Sequence, residues 1–190
     1  MALWGITDAD ESKPKWAVRG SGVDPSNIFA TSSGWTLRHY KNAAKTEYWD
    51  EVIVAVDGLV GEGGRGTDTL GNADITAVYF EETGYAGGAT GSVVVIYNEQ
   101  VDVTNGATLV VRNTTDSANI TATAAAQTAT NRVEFTFTAA ATGKAHAIQA
   151  QTISGTIVDT GTSTASDKVF AAGDVEGAGG SGSTKTFTAS

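Results

Sequence analysis

Residues 133–138, Val-Glu-Phe-Thr-Phe-Thr, alternate large apolar side chains with polar ones at every position. Successive side chains of a β-strand point to opposite faces of its sheet, so this alternation predicts a strand with one buried and one solvent-facing side. A helix would instead place its apolar residues three and four positions apart. The stretch therefore favours an all-β fold with a core on one face of a sheet.

Similar strand patterns lie on both sides of this stretch. Residues 75–80 and 92–97 are short runs rich in Val, Ile and aromatic residues, and residues 147–153 alternate apolar and polar side chains. The Asn-Gly pair at 105–106 is typical of a tight hairpin turn. About seven strands at a spacing of about ten residues are the pattern of an immunoglobulin-like β-sandwich, which we predict for residues 74–160.

The distribution of tryptophan and glycine divides the chain into segments. All four tryptophans lie within the first 49 residues, and residues 58–73 contain six glycines. We predict that residues 1–57 form a small N-terminal β unit with an extended arm, and that residues 58–73 form a linker. Residues 161–190 are predicted to form a Gly- and Ser-rich tail with a short terminal strand.

The clearest predicted strand of the N-terminal unit covers residues 47–56. Trp49, Val52 and Val54 are assigned to one of its faces, which is nearly all apolar. We therefore expect this face, including Trp49, to be buried.

Composition and charge exclude several classes of protein. The chain has 190 residues, no cysteine, a net charge of −9 and a pI near 4.5. The absence of cysteine excludes disulfides. No basic stripe is present, so neither nucleic acid nor an anionic membrane is an expected partner. Residues 1–8 do not resemble a signal peptide, and no apolar run approaches the ~20 residues of a membrane span.

Three stretches match parts of ligand-binding motifs. Residues 61–66 match G-x-G-x-x-G, but a dinucleotide site needs a helix there and the following residues are β-like. Residues 63–71 match one calcium β-roll nonapeptide, and a single copy cannot form a roll. Residues 8–12 resemble half of a calcium loop, with Lys13 in place of the required glycine. We predict no cofactor and no metal, although calcium at residues 63–71 stays open.

The two histidines are the remaining candidates for chemistry. A Ser-His-Asp arrangement can be drawn from His39, Asp50 and one of many serines, but no G-x-S-x-G motif accompanies it. His39 and His146 lie in predicted β regions, where single histidines are usually structural. We therefore predict that the protein is not an enzyme.

Aromatic residues are the candidates for an interface. Trp4 and Trp16 flank a polar stretch that contains Pro14, so we predict an arm that docks on a neighbouring subunit through these rings. Trp35 is assigned to the same interface; filling the core of the unit or lining a sugar-binding face are the alternatives. Phe187 lies in the terminal strand, which either pairs with a neighbouring chain's sheet edge or frays.

Two parts of the chain resemble known families. Residues 92–159 resemble bacterial and phage Ig-like repeats, through Val-Asp-Val-Thr at 101–104 and Gly-Thr-Ile-Val-Asp at 155–159. The N-terminal stretch, which begins Met-Ala-Leu-Trp-Gly, is similar to the start of virion structural proteins from marine tailed phages of the cyanophage type. The second resemblance implies a multi-copy decoration-type protein of the particle surface, without catalytic residues.

The expected function is that of a capsid decoration or cement protein on the outside of a phage head. Its expected partners are the major capsid protein or other virion proteins. A homo-oligomer is expected, and a trimer is one of the open arrangements. The alternatives are a tail or baseplate protein with an Ig-like appendage, and a secreted calcium-dependent adhesin or glycan-binding module whose ligand is a host-surface glycan.

Overall fold

A computed structural model describes residues 24–31, 33–54, 72–161, 164–177 and 185–190. Its regular structure is β throughout, apart from a single 3-10 turn at Pro25–Asn27. The predicted all-β class is therefore confirmed. The described residues contain no helix with the length and apolarity needed to span a membrane. The predicted arm and nearly all of the predicted linker lie outside the described residues.

The N-terminal unit is a three-stranded antiparallel sheet in the order β1-β2-β3. Its strands are β1, Ile28–Thr31, β2, Gly34–Tyr40, and β3, Tyr48–Val54. Apolar residues at one end of the sheet form a small core, because alternate positions of each strand point to the same face. This core contains Ile28, Ala30, Trp35 and Val54, with Leu37 and Ile53 packed against it.

The remaining strands form a larger antiparallel sheet and a small ribbon. The larger sheet runs β11-β5-β8-β7-β6-β9-β13, and β4 pairs with β5 beside β11. The ribbon joins β10 to β12. The strands are β4, Ile75–Phe80, β5, Thr90–Val103, β6, Ala107–Asn113, β7, Ala118–Ala124, β8, Gln127–Thr138, β9, Ala145–Ile148, β10, Gln151–Thr152, β11, Ile157–Asp159, β12, Val169–Phe170, and β13, Thr186–Thr188.

The larger sheet curls until its two ends meet across a shared core. The ring of Phe187 in β13 lies 4.9 Å from that of Phe80 in β4, although these strands lie at opposite ends of the strand order. The two layers that face each other across this core are therefore parts of one continuous hydrogen-bonded sheet. This arrangement is consistent with the predicted β-sandwich. The alternation predicted for residues 133–138 is confirmed, because Val133, Phe135 and Phe137 are buried in this core.

Strand β5 is buried on both faces. Val93 and Val95 point into the shared core, whereas Val94 and Ile96 form a second cluster with residues of β4 on the opposite face. Both edges of β5 are occupied by paired strands, so the contact between β1 and β5 lies on a face. The N-terminal sheet is therefore placed against one face of β5 through β1.

Two glycines shape the turns of the sandwich. Gly106, with φ of +91°, lies between β5 and β6, so the predicted Asn-Gly turn is confirmed. Gly155 has φ of +99°, and a Cβ atom added there would lie 2.7 Å from the Cα of Ala107. Only glycine fits this close approach, because an L-residue is strained at positive φ and the side chain has no space.

Candidate functional site

Two of the predicted interface residues are core residues instead. Trp35 is 1% exposed in the core of the N-terminal sheet, and Phe187 is 5% exposed in the core of the larger sheet. Each lies on the inward face of its strand, where burial removes apolar area from water within the chain itself. Their assignment to an interface is therefore corrected. Trp4, Pro14 and Trp16 lie outside the described residues.

The terminal strand follows neither of the two predicted alternatives. It is docked in its own chain, where Thr186, Phe187 and Thr188 lie opposite Ala147, His146 and Ala145 of β9. The prediction overlooked this pairing because the partner strand is about 40 residues distant in sequence, and local patterns do not encode such pairs.

Sequence reasoning missed two exposed aromatic residues in the part of the chain that the structure describes. Tyr48 and Trp49 are 51% and 49% exposed, so the expected burial of Trp49 is wrong. Its assignment to the face of Val52 is wrong as well, because strand residues three positions apart point to opposite faces. The β2–β3 sheet extends beyond its core: Trp35 and Val54 pair at the buried end, whereas His39 pairs with Trp49 near the free end. We call residues 38–51 the aromatic hairpin.

One face of the aromatic hairpin carries a stacked pair of rings. The rings of His39 and Trp49 are 4.1 Å apart and within 10° of parallel. The Nε2 atom of His39 lies 2.8 Å from the Oε2 atom of Glu51, and this contact holds the imidazole ring in place. These two contacts hold the indole ring in one orientation on the sheet.

The other face is organised by Arg38. Its guanidinium donates two hydrogen bonds of 2.8 Å to the two carboxylate oxygens of Asp50, and the hydrogen bonds with Asp50 raise the pKa of Arg38. The same group lies 3.9 Å above the ring of Tyr48 and 4.8 Å from that of Phe29. A bidentate, stacked arginine is a rigid arrangement, so Tyr48 is also held in place.

The turn between β2 and β3 closes the hairpin with side-chain hydrogen bonds. The Oδ1 atom of Asn42 accepts from the Thr46 amide at 3.0 Å, and its Nδ2 donates to the Thr46 hydroxyl at 2.8 Å. Lys45 adopts φ of +56°, a left-handed conformation that a tight turn of this kind uses. The hairpin is therefore ordered along its length by contacts of its own residues.

The histidines do not form the arrangement considered for catalysis. His39 and Asp50 lie at adjacent register positions and point to opposite faces, and Asp50 is bound to Arg38. His146 is fully buried, and its Nε2 accepts a hydrogen bond from the Ala140 amide at 3.0 Å. Within the described ranges, no group of three or more His, Cys, Asp or Glu side chains is placed to hold a metal ion. The motifs at residues 8–12, 61–66 and 63–71 lie outside those ranges.

Comparisons of the chain with protein-family models, with curated proteins and with solved structures found no match. The aromatic hairpin presents two half-exposed, oriented aromatic rings with charged side chains around them.

Proposed function

We propose that this chain is a non-catalytic structural protein of a phage particle, namely a decoration or cement protein bound to the outside of the head. The N-terminal stretch resembles virion proteins of marine tailed phages, which supports a place in a phage particle. The all-β architecture suits a rigid module on the surface of such a particle. A position on the tail or baseplate is the nearest alternative within this proposal. The expected partner is the major capsid protein.

The observation that carries the proposal is the aromatic hairpin. Tyr48 and Trp49 expose about half of their surface although the same chain buries Trp35 completely. Each exposed ring is already oriented by a neighbour, so binding would cost little additional side-chain entropy. Preorganised aromatic side chains beside arginine are the residues that dominate binding energy at protein interfaces.

The charge of the aromatic hairpin favours a protein surface as the partner. Residues 38–51 contain three basic side chains, Arg38, Lys41 and Lys45, and three acidic ones, Glu47, Asp50 and Glu51. Equal numbers of both signs produce no field that would attract a phosphate backbone. A mixed polar rim around aromatic residues instead matches the anatomy of protein interfaces.

The test is binding of the purified chain to assembled capsids that lack it. We expect the wild-type chain to co-sediment with these particles, and Trp49→Ala to weaken binding at least about tenfold, as for a central interface aromatic. The matched control is Val169→Ala, because Val169 is 59% exposed in β12, outside the hairpin. Failure of the wild-type chain to bind heads or tails would refute the particle role. Equal binding by Trp49→Ala would refute the role of the hairpin.

Glycan binding is the second candidate, and the stacked indole of Trp49 favours it. A half-exposed flat ring is able to pack against a pyranose ring. The Glu51 carboxylate, which contacts the stacked His39 ring, is able to accept hydrogen bonds from the sugar hydroxyl groups. A glycan array with the wild-type chain and Trp49→Ala tests this function. Specific binding that disappears in Trp49→Ala supports it, and a blank array with the wild-type chain rejects it.

A further inference from the structure

The C-terminal segment docks as a small separable element. Of the strands that the structure describes, only β9 pairs with β13. Beyond the strand, the Ala189 amide donates to the Lys144 carbonyl at 2.9 Å, and the Ser190 carbonyl accepts from the Gly87 amide at 3.0 Å. Residues 186–190 thus fill a groove between β9 and residues 85–87, which we call the C-terminal slot.

The slot is lined by aromatic rings that contact Phe187. The Phe187 ring is stacked on His146 at 4.5 Å and lies 4.9 Å from Phe80, 5.1 Å from Tyr85 and 6.3 Å from Phe137. Without the strand, these side chains would line an open apolar groove. The slot therefore has the properties of a binding site for a strand that carries an aromatic residue.

The connection to β13 is long enough to carry the strand beyond its own slot. Residues 178–184, Ala-Gly-Gly-Ser-Gly-Ser-Thr, join Gly177 to Lys185. A chain of this length spans at most about 28 Å, at roughly 3.3–3.6 Å per residue. Covalent geometry therefore permits β13 to reach the slot of a second copy that lies within this distance.

We propose that the C-terminal slot is an exchangeable strand-binding site, and that residues 185–190 of one copy fill the slot of a second copy. The contacts in the exchanged and unexchanged forms are identical, so their ratio depends on the concentration of neighbouring copies and not on a new interface. A short tether gives its own strand an effective concentration of the order of 1 mM. Copies crowded on a surface have a similar local concentration. Exchange of the strand would link neighbouring copies under that condition.

This inference does not rest on the proposed function, because it concerns only the contacts of this chain with itself. Its test uses the absence of cysteine from the chain. Thr188 and Ala145 lie directly opposite each other in the β13–β9 pair. Opposed Cα atoms in antiparallel strands are about 4.5–5.5 Å apart, within the range that a disulfide bridges.

The experiment mixes two full-length single variants, Thr188→Cys and Ala145→Cys, and then oxidises them. We expect a heterodimer joined through positions 188 and 145, identified by mass spectrometry. The yield of this heterodimer should rise with protein concentration. At 100 µM roughly a tenth of the chains should be exchanged at the start of oxidation, before the disulfide traps further dimers. The control mixture replaces Ala145→Cys with Thr121→Cys, which is exposed on β7, a strand that does not pair with β13.

A double variant, Thr188→Cys with Ala145→Cys in one chain, checks that the geometry permits the bond. It should close within the monomer in dilute solution. Closure of the double variant together with a mixed yield no higher than the Thr121→Cys control at 1 mM would overturn the exchange. Failure of the double variant to close would overturn it as well, because β13 would then not occupy the slot as described.

Discussion

At the scale of single residues, His146 is a titratable group that the fold keeps out of water. Its ring is fully buried, stacked on Phe187, and accepts a hydrogen bond from the Ala140 amide through Nε2. An accepting imidazole nitrogen carries no proton, so the ring is neutral. Burial lowers the pKa of His146, because the charged form would lose its hydration.

The free energy of unfolding should consequently fall as the pH drops below about 6.5, the ordinary pKa of histidine. In that range the unfolded chain binds a proton that the folded ring resists, so the slope reaches up to about 1.4 kcal/mol per pH unit. Above this pH the imidazole is neutral in both the folded and the unfolded state, and the effect vanishes.

Denaturant titrations of wild type and His146→Gln at pH 7.5 and pH 5 measure this change in the free energy of unfolding. Thr128→Ala is the control, because Thr128 is exposed, carries no titratable group and should keep the slope. Parallel pH profiles for wild type and His146→Gln would contradict the prediction.

Gly155 supports a second prediction at this scale. We expect Gly155→Ala to lower the free energy of unfolding by about 2–4 kcal/mol, because positive φ costs an L-residue about 1–2 kcal/mol and the new methyl group overlaps Ala107. Gly84→Ala is the matched control, since a Cβ there meets nothing within 4 Å. A thermal or denaturant melt compares them. Equal stability of the two variants would show that the backbone at Gly155 relaxes freely.

At the scale of elements, a strand and its inward face follow from local alternation, whereas the partner of a strand does not. Residues 133–138 predict which side chains of β8 are buried, since period two is a property of one strand. Residues 92–97 predict a strand too, but their uninterrupted apolar run does not indicate what covers Val94 and Ile96, which are buried on the face away from the shared core. That covering depends on a contact between segments far apart in the chain.

The terminal strand provides the prediction for this scale. Phe187→Ala should cost about 3–5 kcal/mol, the usual range for a large core aromatic. Strand β13 is held mainly by this ring and by its pairing with β9. In Phe187→Ala the amides of β13 and β9 should therefore exchange hydrogen faster than in wild type, and faster than the amides of β8. Thr186→Ala is the control, as Thr186 is exposed on the same strand and should change stability by less than about 0.5 kcal/mol. Uniform acceleration across β8 and β13 would indicate that β13 does not open separately.

At the scale of the whole molecule, a buried amide joins the two sheets. The Nδ2 atom of Asn131 in β8 donates to the Ser26 carbonyl at 2.6 Å, and Asn131 itself is buried. This contact couples the position of the aromatic hairpin to the larger sheet, because Ser26 lies in the 3-10 turn that immediately precedes β1. Removal of the donor leaves a carbonyl at this interface without that hydrogen bond, at a cost of about 1–3 kcal/mol.

Asn131→Ala should therefore loosen the N-terminal sheet without unfolding the sandwich. Hydrogen exchange or limited proteolysis should show faster opening of β1–β3, with protection retained in β5–β8. Thr128→Ala, an exposed position on the same strand, is the control and should behave as wild type. Simultaneous loss of protection in both sheets would mean that the two fold as one cooperative unit.

The aromatic hairpin and the C-terminal slot illustrate what each level of information determines. The sequence by itself determined the all-β class, the inward face of β8 and the turn at Gly106, because alternation and turn chemistry act over a few neighbouring residues. Only the tertiary structure decided that Trp35 and Phe187 are buried while Trp49 is exposed. The three side chains have similar apolar character, and their environments differ because burial depends on which distant strand lies across from each of them.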